Sequence, residues 1–154
     1  VTYLTKVGND GFSEFILSSL QKENIDTSLI KTNDEQNGMY IVSHTLENKE
    51  VLYYKRKTAA TKRSIEDFSE DTIKKLKLIY STGVVQSLSA SSRELIRESF
   101  RIAKENDVLT AYDPNYTSCF MNSSDTKDIY LFLPFNQLIY CLHRIKIIRY
   151  YIFN

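Results

Sequence analysis

Glycine is scarce in this 154-residue chain: there are four, at positions 8, 11, 38 and 83. None belongs to a Gly-x-x-x-x-Gly-Lys run, which excludes a P-loop for nucleotide phosphates. Cysteine is scarcer, with only Cys119 and Cys141 and no Cys-x-x-Cys pair. That argues against a disulfide-built scaffold or a cysteine zinc site and fits a reducing compartment. Neither sign of charge prevails, because the net charge is +1. No overall field therefore points to nucleic acid or an anionic membrane. The sequence shows no signal-peptide pattern. Its sequons, Asn115-Tyr-Thr and Asn122-Ser-Ser, are accordingly expected to be chance matches. The apolar stretch "IYLFLPFNQLIYCL" covers 14 residues and is interrupted by Pro134, Asn136 and Gln137. It falls short of the ~20 residues that cross a bilayer as a helix. Acid is missing altogether from Ile129 to Asn154.

What is there is a globular composition, 42% apolar and 25% charged, long enough for one ordinary domain with a core. "VTYLTKVG" is β-branched and aromatic and predicts a buried strand ending at Gly8. In "NDGFSEFILSSLQKEN", Phe12, Phe15, Ile16, Leu17 and Leu20 recur at helical spacing, with Asn9 or Asp10 as the cap. "IDTSLI" leads to a second extended piece. "GMYIVSHTL" and "EVLYYKRKT" predict a hairpin on a partly exposed sheet. "SIEDFSEDTIKKL" predicts a helix opened by a capping pattern, Ser64 with Asp67 three residues on. "LKLIYSTG" reads as a strand ending at Gly83. "SASSRELIRESFRIAKEND" reads as a helix whose apolar side is Leu95, Ile96, Phe100, Ile102 and Ala103. "VLTAYDPNY" predicts a strand running into an Asp-Pro-Asn turn. Strand, helix, strand occurs twice, which is the pattern of an α/β fold with parallel pairing.

One stretch stands apart from this framework. "VLYYKRKTAATKRS", Val51 to Ser64, joins Tyr53 and Tyr54 to Lys55, Arg56, Lys57, Lys62 and Arg63 without an acid. Stacked tyrosines and cations could hold single-stranded nucleic acid. A solvated basic strand with one tyrosine packed beneath is the plainer alternative. A third reading is a lid over a small anionic substrate: an ammonium meets a carboxylate as a point charge, and tyrosine offers an apolar body with a polar tip.

Three motifs in order favour the third. "KVGNDGFSEFILSSLQKENIDTS" resembles the segment of the PfkB (ribokinase-like) sugar kinases with a Val-Gly-x-Asp turn, a helix and a Val-Asp-Thr-Ser run. "GMYIVSHTLENKEVLYYKRKTAAT" resembles their lid hairpin. "YSTGVVQSLSASSRELI" followed by "YDPNY" resembles their next strand, helix and strand. The 2-keto-3-deoxygluconate kinases are the most similar branch. The resemblance covers about residues 1–128, with the lid at about 38–58. It implies a partial ribokinase-like fold, a parallel sheet with flanking helices plus a β-hairpin lid. It also implies ATP-dependent phosphorylation of a sugar or sugar acid in the cytoplasm, with Mg²⁺ neutralising the phosphates. In that family the lid folds over the sugar. Tyr40, Tyr53 and Lys55 are then the expected substrate contacts, and Gly38 lets the backbone approach.

Two departures bear on the substrate. Lys55 stands where the family's lid carries arginine, and so loses the bidentate fork. Thr117 stands where that branch reads Asp-Pro-Asn-Tyr-Arg, so a second anchor for an acidic sugar is missing and a neutral sugar such as fructose or ribose stays open. The family's late Gly-Ala-Gly-Asp motif, which holds phosphate and supplies the base, is absent from the four glycine contexts. Its early Gly-Gly-x-x-x-Asn element would precede Val1. The expectation is a front-middle piece that is inactive alone, with no catalytic, cofactor-binding or metal residue of its own. Residues 129–154 are expected not to belong to the preceding domain, through a change of reading frame near Asp128; a membrane-surface segment is the alternative for them. The expected partner is a small sugar, with no nucleic acid and no membrane. The alternative to a kinase piece is a non-catalytic sugar-binding or assembly module, self-associating through the lid's edge. Asp113 is expected as a turn former, Asn115 as a residue bordering the cleft and His44 as a lid surface residue. Cys119 and His143 receive no chemical role.

Overall fold

A computed structural model describes residues 1–44, 49–113, 115 and 138–140. The chain divides into two compact units, Val1–Asp67 and Phe68–Asn154.

In the first unit, strand β1 (Thr5–Val7) pairs in parallel with β2 (Ile30–Thr32), Thr5 against Ile30. Helix α1 (Gly11–Lys22) makes the crossover. Asp10 caps it as the sequence predicts, accepting a hydrogen bond from the Phe12 amide at 2.9 Å. The first strand is shorter than expected: Thr5 and Val7 are buried, whereas Val1 and Tyr3 are exposed. Before β1, only Thr2 joins a bridge, to Asp26. The apolar side of α1 is also less covered than its periodicity implies, since Phe12 and Phe15 are exposed. The hairpin follows, β3 (Met39–His44) antiparallel to β4 (Lys49–Tyr54).

Two 3-10 turns, Ala59–Lys62 and Ile65–Asp67, close this unit. Here the expected helix from Ser64 is corrected. Its capping pattern is real, because the Ser64 amide donates to Asp67 Oδ2 at 2.8 Å. The second Asp67 oxygen, however, takes an ion pair from Lys6 at 2.9 Å and one from Lys31 at 3.5 Å. The turn ends there, and the helix starts five residues later, behind Ser69.

In the second unit, β5 (Leu78–Thr82), β6 (Leu109–Asp113) and β7 (Leu138–Tyr140) form a parallel sheet in that order. Helices α2 (Glu70–Lys74), α3 (Gly83–Ser87) and α4 (Ala90–Glu105) accompany it. Gly83 opens α3 rather than merely ending a strand, with Thr82 as the cap. The apolar side read from the sequence for α4 is the one buried: Leu95, Ile96, Phe100, Ile102 and Ala103. Ile73, Ile102, Ala103 and Val108 form one core cluster, and Ile96, Phe100 and Tyr112 another, with Ile79 packed against both. Phe100 and Tyr112 meet edge to face, ring centres 6.2 Å apart, an arrangement worth about 1 kcal/mol beyond its area. The Tyr112 hydroxyl donates to buried Gln86, which satisfies both polar groups. Of residues 129–154, only 138–140 are described, paired with β6. Among the described residues no helix is long and apolar enough to cross a membrane.

Candidate functional site

The hairpin puts two of the expected contacts, both tyrosines, on one face. Tyr40 lies directly opposite Tyr53 in the antiparallel register, and their ring centres are 6.2 Å apart, tilted by 38°. Met39 pairs with Tyr54 at the end of the ladder, and Gly38 and Lys55 are the residues immediately beyond that pair. Side chains alternate along a strand. Tyr40 and Tyr53 therefore share a face with the half-buried Val42–Val51 pair. Tyr40 is 67% exposed and Tyr53 46%, while Lys55 is half-buried. Two aromatic platforms and an ammonium at one end can hold an apolar ring face and an anionic tip.

Gly38 and Gly8 differ in what requires them. A Cβ on Gly8 would collide with the backbone of Glu35 and stand 2.9 Å from the Asn37 amide nitrogen. Packing alone demands that glycine. A Cβ on Gly38 would meet nothing closer than Thr58 Cγ2 at 3.6 Å, an ordinary contact. No glycine has a positive φ, so neither position is explained by backbone conformation. The fold around Gly38 would therefore accept a side chain.

The base of the hairpin is fastened on both sides. On the incoming side, Asn37 is buried and donates its amide to Asp10 Oδ2 at 2.8 Å and its side-chain NH₂ to Asp10 Oδ1 at 2.7 Å. The same NH₂ donates to Ser13 Oγ at 2.8 Å, and Asn37 Oδ1 accepts from the Gly8 amide at 3.1 Å. Ser13 Oγ donates to the Gly8 carbonyl. These bonds hold the Asp10 carboxyl below its ordinary value, the Asn37 amide contributing most. On the outgoing side, Gln36 bridges Thr58 and accepts from the Ala59 amide at 2.8 Å. Lys57 lies between, in the left-handed region at φ 53°. Asn37 is the residue the sequence reading missed. In sequence, "NG" reads as a turn; the available signal was Asp10, whose two oxygens exceed what a helix cap uses.

Asp67 anchors the segment after the lid. Burial works to raise its pKa, but hydrogen bonds from Lys6 and the Ser64 amide, with the Lys6 and Lys31 charges, carry it below the usual carboxylate value. Burial lowers the pKa of Arg63, against the opposing influence of Tyr3 and Asp67.

The other singled-out residues are dispersed. His44 is exposed at the end of β3. Asp113 Oδ1 accepts from the Asn115 amide at 3.0 Å, the turn-forming role expected of it, and Asn115 is exposed. Thr117, Cys119 and His143 lie outside the described residues. Among the described residues no three His, Cys, Asp or Glu side chains are grouped so as to hold a metal ion.

Parallel strands joined by helices, with a two-stranded hairpin lid, define a ribokinase-like α/β fold. Comparison with known proteins agrees. The pfkB family of carbohydrate kinases matches residues 1–134. A 5-dehydro-2-deoxygluconokinase of Clostridium perfringens is 32% identical over 135 residues, 84% of this chain and 39% of that protein. A 2-dehydro-3-deoxygluconokinase of Bacillus subtilis is 27% identical over 116 residues, 73% of this chain and 36% of that protein. A solved chain from E. coli, described as a ribokinase II in complex with ATP and Mg²⁺, superimposes with a TM-score of 0.73 at 20% identity, covering 84% of this chain and 41% of its own. This chain belongs to the pfkB carbohydrate kinase family. It spans about two fifths of the length of the curated relatives it matches.

Proposed function

We propose that the chain carries the substrate lid of a kinase that phosphorylates a keto-deoxy sugar acid with ATP and Mg²⁺. Gly38, Tyr40, Tyr53 and Lys55 are its sugar contacts. One observation carries this reading: Tyr40 and Tyr53 stand opposite each other on an exposed hairpin whose strands lead directly into Gly38 and Lys55, and Gly38 has no packing reason to be glycine. The tyrosine rings stack on the apolar side of the sugar, and the Lys55 ammonium faces its carboxylate. The relatives named for two keto-deoxygluconates support an acidic substrate. Among the described residues no three His, Cys, Asp or Glu side chains are grouped so as to hold a metal ion, and no step through Mg²⁺ or ATP is assigned to them. The 154 residues alone are expected to bind sugar without phosphorylating it, in the cytoplasm.

The test is calorimetric titration of the chain with 2-keto-3-deoxygluconate, 5-keto-2-deoxygluconate, fructose and ribose, without ATP. Lys55→Ala should weaken acid binding about tenfold, the size of one charge-assisted hydrogen bond, and leave neutral sugars unchanged. Equal binding of acid and neutral sugars by the wild type would refute the acidic substrate. A second reading rests on the other face, where Met39, Ile41, Leu52 and Tyr54 are all exposed. That face suits a second copy of the lid, making the hairpin an assembly element as well.

A further inference from the structure

Asp10 does two tasks with one carboxylate. Its Oδ1 caps α1 through the Phe12 amide at 2.9 Å and also takes the Asn37 side-chain NH₂ at 2.7 Å. Its Oδ2 takes the Asn37 backbone amide at 2.8 Å. Asn37 reaches further, to Ser13 Oγ at 2.8 Å and from the Gly8 amide at 3.1 Å. A helix cap needs one oxygen and no partner 27 residues away. The surplus bonds all converge on the residue that immediately precedes Gly38.

We infer that Asp10 and Asn37 are positioning residues that latch the incoming strand of the lid to the β1–α1 turn and so fix where its tyrosine face is presented. The functional part of this inference rests on the lid reading above; the latch itself does not. Gly8 completes the device, because the Glu35–Asn37 backbone lies against it too closely for any side chain. With Asn37 fastened on one side and Thr58 bridged to Gln36 on the other, the segments 38–44 and 49–57 extend from a base held at both ends. Loosening the latch frees the hairpin without unwinding α1 or touching any proposed sugar contact.

The test is amide hydrogen exchange of the full chain, comparing wild type, Asp10→Ser and Asn37→Ala. Serine still caps the helix but has a single oxygen to offer. Amides of Met39–His44 and Lys49–Tyr54 should exchange about tenfold faster or more in both variants, because Asn37→Ala loses one hydrogen bond to the carboxylate and Asp10→Ser loses two. Amides in the second half of α1 should stay within about twofold, because the cap survives in one variant and is untouched in the other. Faster exchange in α1 with an unchanged hairpin would overturn the inference and leave Asp10 a cap alone. If Asp10→Ser does not fold, Ser13→Ala removes one acceptor of the Asn37 side-chain NH₂ and is read by the same two criteria. Titration with 2-keto-3-deoxygluconate on the same samples separates the two proposals. If the latch variants show the exchange pattern and the wild type binds no sugar acid, the lid reading fails and the latch stands.

Discussion

Two glycines that look alike in sequence carry opposite predictions. Gly8→Ala drives a methyl into the backbone of Glu35 and Asn37, which cannot retreat like the end of a flexible side chain. It should cost roughly 3 kcal/mol of stability, read as a lower urea midpoint. Gly38→Ala adds a methyl in ordinary contact with Thr58 and should leave that midpoint almost unchanged. Any loss it causes should appear in sugar titration instead. Asp67 supplies a pH dependence. Its folded pKa lies below the unfolded value of about 3.9, so its contribution is complete above that pH and disappears as the pH falls through the folded value. The urea midpoint should be level from pH 7 to about 5 and drop below about 4. Asp67→Asn should lower the plateau by about 2 kcal/mol, because Lys6 loses its buried partner, and should flatten the acid limb.

Among the elements, α4 was the most legible. Its buried face follows from local chemistry, since a stripe at helical spacing has only one side to bury. Phe100→Ala removes the edge-to-face partner of Tyr112 and opens a hole between α4 and β6. A loss of 3–5 kcal/mol is expected by urea denaturation. The β3–β4 hairpin was also readable as two strand-like runs, but the register that sets Tyr40 opposite Tyr53 came from the structure. The segment from Ser64 was not. Its capping pattern points to a helix, and only the lysines of β1 and β2 turn Asp67 to another use. Nor was α3 visible, since a glycine after a strand reads equally well as a stop.

At the scale of the molecule, the hairpin exposes large side chains on both of its faces. One carries Tyr40 and Tyr53 and the other Met39, Ile41, Leu52 and Tyr54. If the second face joins two copies, replacing Ile41 and Leu52 with lysine should convert a dimer to a monomer in sedimentation velocity. Lys55→Ala, beyond the end of the ladder, should leave the mass unchanged. The strand–helix–strand alternation and the hairpin were determined by the sequence, because each depends on periodicity and caps a few positions apart. The convergence of Asn37 on Asp10, and of Lys6 and Lys31 on Asp67, was decided only by the tertiary structure. Those partners lie far apart along the chain. A polar side chain in a loop has many acceptors within reach until folding brings a particular carboxylate next to it and removes the water that would otherwise compete.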